Sequence, residues 1–157
     1  MDSQTLLAID VGLKAGLAVY GRDGRLTAYR SRNFGSTDRL RRGVHAILSG
    51  RSGVSFLVTE GGGPLADVWS KEAERRGIGV LRIHAEDWRK RLLLPREQKS
   101  GEMAKQHADA LARRIIEWSG APRPTSLRHD AAEAIAAGLY GVLKIGWLSK
   151  LPREISR

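Results

Sequence analysis

Strand-like and helix-like hydrophobic patterns take turns along the chain. Residues 5–11 and 15–21 read as two apolar strands around the tight Gly12-Leu13-Lys14 turn, an antiparallel hairpin. A third strand follows Asp23-Gly24, near residues 25–31. Ser36-Thr37-Asp38 has the chemistry of a helix start, and a basic helix to about residue 49 would bury Leu40, Val44, Ile47 and Leu48 on one face. A strand over 55–60 ends in Glu60. The loop Gly61-Gly62-Gly63-Pro64 then leads into a helix over 64–76, with Pro64 suited to its first turn. Further on, the pattern predicts a strand at 78–84, a short helix at 85–92, and a loop from Leu94-Pro95 to Ser100. A longer helix at 101–119 is stopped by Gly120 and Pro122, and a last helix runs from about Thr125-Ser126 to Lys144. The order is β-β-β-α-β-α-β-α-α, an α/β chain with one domain over residues 1–148 and a C-terminal tail over 149–157.

Three of these apolar stretches carry carboxylates: Asp10 and Glu60 at strand ends, and Asp130 with Glu133 at the start of a nearly all-apolar helix. Read singly, each has an ordinary explanation: a turn cap, an ion pair with Lys or Arg, or a carboxylate satisfied by the helix dipole. Together they suggest a site, because a buried carboxylate is costly without a partner. A hard divalent cation is the natural partner for several converging carboxylate oxygens. Asp130 and Glu133, three apart, share one helix face.

Charge narrows what such a site would act on. Lys and Arg number 27 against 17 Asp and Glu, a net +10, which favours a polyanion and nucleic acid before an anionic membrane. No apolar run approaches the roughly 20 residues of a membrane span, so no membrane partner is expected. The Met1-Asp2-Ser3-Gln4 start lacks a basic n-region. There is no cysteine, which excludes disulfides and thiolate metal sites and fits a reducing, cytoplasmic setting in a bacterium or phage. His45, His84 and His107 show no zinc-like spacing.

Taken in order, these segments resemble the RuvC family of Holliday-junction resolvases. The match is carried by Ile9-Asp10-Val11-Gly12 with Gly16-Leu17-Ala18-Val19, by Thr59-Glu60, and by His129-Asp130-Ala131-Ala132-Glu133-Ala134-Ile135-Ala136. A weaker match is Gln98-Lys99-Ser100. The resemblance implies the RNase H-like fold, a five-stranded mixed sheet flanked by helices, whose first and fourth strands lie side by side. Asp10, Glu60, Asp130 and Glu133 would then be both catalytic and metal-binding, holding two Mg²⁺ ions, or Mn²⁺ in their place, roughly 3.5–4 Å apart. One ion would activate a water and the other would stabilise the leaving 3′ oxygen. The implied partner is branched DNA, a four-way junction cut by paired symmetric nicks, and the implied state is a homodimer.

The same resemblance puts Lys99 and the basic group Arg89, Lys90 and Arg91 along the cleft as DNA-binding residues, with Lys105 beyond. For most of these a solvated surface charge is the competing reading, as it is for Arg39, Arg41, Arg42 and Arg96. His129, four residues from Glu133, either positions water or phosphate or is an ordinary helix-start residue. The loop after Glu60 lacks the family's stacking aromatic, so Trp69 either stacks on a base or fills the core, and Trp88 is a second candidate. The 64–76 helix, with Leu65, Val68 and Trp69, is the expected dimer face. Two other classes compete. Asp10-Val11-Gly12-Leu13-Lys14-Ala15-Gly16 also resembles the start of YqgF/RuvX-type nucleases acting on RNA, although their internal Asp-Glu-Arg segment has no counterpart here. A non-catalytic DNA-binding member of the fold is the third. An actin-like ATPase also opens on Asp-x-Gly but needs two such domains.

Overall fold

The computed structural model describes residues 4–156. Its elements run β1 (Thr5–Asp10), β2 (Lys14–Gly21), β3 (Leu26–Asn33), α1 (Thr37–Ser49), β4 (Val54–Glu60), α2 (Gly63–Arg75) and β5 (Gly79–Ile83). Then come α3 (Ala85–Leu92), a 3₁₀ turn (Pro95–Gln98), α4 (Gly101–Ser119) and α5 (His129–Lys144). The strands form one five-stranded mixed sheet in the order β3-β2-β1-β4-β5. β1, β2 and β3 pair antiparallel, while β1–β4 and β4–β5 are parallel.

Because side chains alternate across a strand, residue parity decides which layer each joins. Leu6, Ala8, Ala18, Tyr20 and Val58 pack against Ala132, Ile135, Ala136 and Leu139 of α5, with Trp88, Leu111 and Ile115 behind. Leu7, Ile9, Leu17, Val19 and Leu57 point the other way, onto Leu40, Val44 and Ile47 of α1 and Trp69 and Ala73 of α2. α5 lies close to the sheet because its contact positions are small. A Cβ on Gly138 would stand 2.2 Å from the Tyr20 ring, and one on Gly141 would stand 2.6 Å from Val58 Cγ2. The Tyr20 hydroxyl donates to the Ile135 carbonyl, which satisfies the polar end of a fully buried ring.

Three local expectations are adjusted. The last helix begins at His129, not at Thr125-Ser126. Pro122 and Pro124 disfavour helix in the residues before them, the Tyr29 hydroxyl holds the Pro122 carbonyl, and Arg128 is still extended at φ −71°, ψ 148°. β3 continues to Asn33, since Lys14 pairs with Asn33 and Phe34 N–H donates to the Leu13 carbonyl at 2.8 Å. The 94–100 loop contains one tight turn in which the Leu94 N–H meets the Glu97 carboxylate at 2.9 Å. Ser36 caps α1 as expected, accepting from the Arg39 N–H at 3.3 Å. Beyond α5 the chain returns to the domain: Ile155 is buried and its carbonyl accepts from Arg114 Nε at 2.9 Å. Among the described residues no helix is long and apolar enough to cross a membrane.

Candidate active site

β1 and β4 run parallel and in register, so Asp10 stands beside Glu60, and parity turns both toward α5. On its other side Asp10 pairs with Gly16 of β2. The start of α5 sits on that glycine: a Cβ at Gly16 would lie 1.8 Å from the Asp130 carbonyl oxygen. This close approach brings Asp130, and Glu133 one turn later, to the ends of the two central strands. Four carboxylates from three elements thus share one corner of the sheet.

The corner is electrostatically unfavourable for the empty, ionised site. Burial pushes the Asp10 carboxyl up to about 7, with Glu133 and then Asp130 adding repulsion and a hydrogen bond from Glu60 opposing the rise. Burial likewise raises Glu60 to about 8, helped by the charges of Glu133 and Asp10. Asp10 and Glu60 thus stand within hydrogen-bonding reach of each other, each raised chiefly by burial. The Trp88 indole approaches Glu60 closely enough to favour its charged form, without completing a hydrogen bond.

Each remaining carboxylate has a protein partner. Glu133 Oε1 receives Arg89 at 3.3 Å and His129 Nε2 at 3.0 Å. Asp130 accepts from the Ser31 hydroxyl. Accordingly, among the described residues no three His, Asp or Glu side chains are posed to ligate one ion. The donor set nevertheless fits a hard divalent cation. Glu60 Oε2 and Glu133 Oε2 are buried with no hydrogen-bond partner, and burial with mutual repulsion raises Asp10 and Glu60, a cost that a bound cation would relieve. Arg89 Nε and Trp88 Nε1 beside them are also buried and unpartnered; Thr59 Oγ1, Trp69 Nε1 and Ser70 Oγ are so on the α1/α2 side.

The sequence-derived site residues divide accordingly. Asp10, Glu60, Asp130 and Glu133 converge, and Arg89 and His129 join them through Glu133. Lys90, Lys99 and Lys105 are exposed on α3 and around the start of α4, with no ion pair among the described residues. Arg91 lines a small cavity with Leu93, Leu151 and Ile155 instead of meeting the carboxylates. Trp69 is fully buried, edge-on to Phe34 at 6.3 Å between centroids, and presents no face to a base. Trp69 is therefore a core residue and also leaves the expected dimer face, where Leu65 and Val68 remain half-buried. Trp88 is equally enclosed. Sequence reasoning missed Ser31. Its signal is positional: Ser31 pairs with Gly16, and Gly16 pairs with Asp10.

With that geometry in hand, the class is defined: the chain has the RNase H-like fold, shared with RuvC and a terminase nuclease. Two Thermus thermophilus RuvC structures are similar. One is solved with a Holliday junction substrate (18% identity, TM-score 0.60, covering 91% of this chain and 96% of that one). The other superposes at TM-score 0.63 and 18% identity, covering 90% and 95%. The yeast mitochondrial Holliday junction resolvase matches at TM-score 0.50 and 12% identity over 89% of this chain and 82% of its own. The large terminase nuclease of the thermophilic phage G20c, which has bound zinc, matches at TM-score 0.50 and 14% identity, covering 91% and 81%. No protein-family model and no curated protein matches the sequence.

Proposed function

We propose that this chain is a divalent-metal-dependent endonuclease acting on branched DNA, four-way junctions above all, by paired nicks from a homodimer in a bacterial or phage-infected cytoplasm. The observation that carries the reading is the in-register Asp10–Glu60 pair capped by Asp130 and Glu133. The likeness to RuvC and to a mitochondrial resolvase supports the choice of substrate.

Asp10, Glu60, Asp130 and Glu133 are the residues that would hold Mg²⁺ or Mn²⁺, two ions in the fullest form of the reading. Bound there, the metal supplies a nucleophile at neutral pH and charge stabilisation for an in-line displacement at phosphorus. The chain's own part is to present Asp10 and Glu60 as ionised carboxylates and to turn the free Oε2 atoms of Glu60 and Glu133 toward the cation. Arg89 and His129 hold Glu133, and Ser31 holds Asp130, so that both face the strand ends. Lys90, Lys99 and Lys105 would bind flanking phosphates, giving an affinity that falls steeply with salt. The groove of about 530 Å³ between α1 and α2, lined by Val44, Pro64 and Val68 together with the charged Arg41, Asp67, Lys71, Glu72 and Arg75, is the proposed dimer face.

The test is cleavage of a labelled four-way junction in Mg²⁺ beside matched duplex, single-stranded DNA and RNA. Symmetric paired nicks at the junction, abolished by EDTA, are expected. Undiminished cutting in EDTA would overturn the metal role. Preference for RNA would overturn the substrate, and binding without cutting would overturn the enzyme.

A further inference from the structure

The carboxylate corner has two flanks. On one, Arg89 is committed to Glu133. On the other lies a cavity of about 240 Å³ lined by Lys14, Ser31, Arg32, Asn33, Arg128 and Asp130. Its residues come from the start of β2, the end of β3 and the residue capping α5, so three elements meet there without any one of them filling it.

Its charge balance is lopsided. Three cations face a single carboxylate, Asp130, and that carboxylate is already taken by the Ser31 hydroxyl. Lys14 and Arg128 are exposed and form no ion pair among the described residues, although the chain has seventeen acidic residues. Arg32 stacks its guanidinium over Phe34 at 4.7 Å and sits at the rim. Asn33 uses its carboxamide oxygen to receive the Gly35 N–H at 3.0 Å, which leaves its amide hydrogens free to donate. Two unpaired cations, a free amide donor and a polar recess are the elements of an anion site. The recess shares Asp130 with the carboxylate corner, so the anion it accepts sits beside the proposed reacting phosphate.

We propose that this cavity is a phosphate-binding subsite for the DNA strand, gripping a backbone phosphodiester next to the one at the carboxylates, with Lys14 and Arg128 as its contacts. Ser31 is the positioning residue that ties the subsite to Asp130. The inference rests on the nuclease reading for its DNA source, whereas the affinity for phosphate stands on the cavity alone. A strand held at the cavity on one flank and at the α3–α4 lysines on the other would cross the four carboxylates between two grips.

Two measurements test it. In the first, the ¹⁵N-labelled chain is titrated with sodium pyrophosphate. Saturable amide shifts at Lys14, Ser31, Asn33 and Arg128 are expected, and they should vanish in the Lys14→Gln/Arg128→Gln variant. In the second, binding of a labelled four-way junction is followed against salt in an Asp10→Asn background with Mg²⁺, where cleavage does not interfere. Removing two phosphate contacts should lower the slope of log K against log salt by about two, while an Arg51→Gln/Lys150→Gln control should keep it within a few tenths. Restoring one of the two charges, in a Lys14→Arg/Arg128→Gln variant, should recover about half of the lost slope. An unchanged slope with no pyrophosphate shifts would overturn the subsite and leave the nuclease reading intact. Pyrophosphate shifts at the cavity in a chain that binds no nucleic acid would overturn both the nuclease reading and the DNA assignment, leaving a free phosphate compound as the ligand.

Discussion

On the α1/α2 face of the sheet, Leu7, Ile9, Leu57 and Trp69 meet Leu40 and Val44 in a layer made almost wholly of apolar side chains. On the α5 face the same two strands continue Leu6, Ala8 and Val58 into Asp10 and Glu60, and the covering helix adds Glu133, itself buried. One strand pair therefore contributes to two layers of opposite character. The first stabilises the fold by removing apolar area from water, at about 25 cal/mol per Å². The second ends in like charges whose repulsion is relieved by protons, by Arg89 and His129, and by any cation that binds. The lesson is that burial alone does not mark a residue as structural. What separates the two faces is charge: among the described residues the α1/α2 layer leaves only the neutral Thr59 Oγ1, Trp69 Nε1 and Ser70 Oγ unpartnered, whereas the α5 face buries unpartnered carboxylate oxygens of Glu60 and Glu133.

Substitutions at the two faces should therefore move stability and activity in different directions. The largest effect is expected from Asp10→Asn, which should reduce junction cleavage about a thousandfold, equivalent to about 4 kcal/mol. It should also make the metal-free protein more stable by about 1 kcal/mol, or about 2–4 °C, because it removes one of the repelling charges. Single-turnover kinetics and thermal melts in EDTA check both halves, and a variant that is inactive and also less stable would break the contrast. Leu40→Ala on the opposite face should cost about 3 kcal/mol of stability and leave single-turnover cleavage of the folded fraction unchanged, as denaturant titration and kinetics would show.

The pH dependence sharpens the comparison. Asp10 and Glu60 have folded values near 7 and 8, above those of free carboxyls. A raised carboxyl binds its proton more tightly in the folded chain, so its contribution is complete below about pH 4 and is lost as pH rises through about 7 to 8. Melts in EDTA should show stability declining between about pH 5 and pH 9, and Mg²⁺ should flatten or reverse the decline by replacing the protons. Parallel curves with and without Mg²⁺ would argue against these carboxylates as its ligands. The smallest effect is expected at Ser31→Ala, which removes one hydrogen bond to Asp130 and should slow cleavage about five- to tenfold, near 1 kcal/mol, without altering the melting temperature by more than about 2 °C.

Much of this was legible in the residues. Parity along 6, 8, 10 and along 56, 58, 60 already puts each strand's carboxylate on a definite face, and the i, i+3 spacing of Asp130 and Glu133 puts both on one side of α5. Ser36 announced its helix because a hydroxyl cap is a local interaction. The start of α5 was placed four residues early: the chain stays extended through Arg128, with Pro122 held by Tyr29 of β3, a partner far away in sequence. Trp69 left both of its roles open for the same reason: an aromatic on a helix reads alike whether it faces Phe34 or solvent.

What the chain's order of residues determined by itself was period, polarity and local capping: which segments are strands or helices, where carboxylates interrupt apolar runs, and the excess of positive charge. These are properties of neighbours in sequence, read without knowing any distance. Only the tertiary structure decided that Gly16 lets the Asp130 backbone approach, that Arg89 and His129 converge on Glu133, that Ser31 holds Asp130, and that Lys14 and Arg128 are left unpaired around a recess. Partnership between groups tens of residues apart depends on how strands register and how closely a helix can lie on them, and no local pattern encodes those distances.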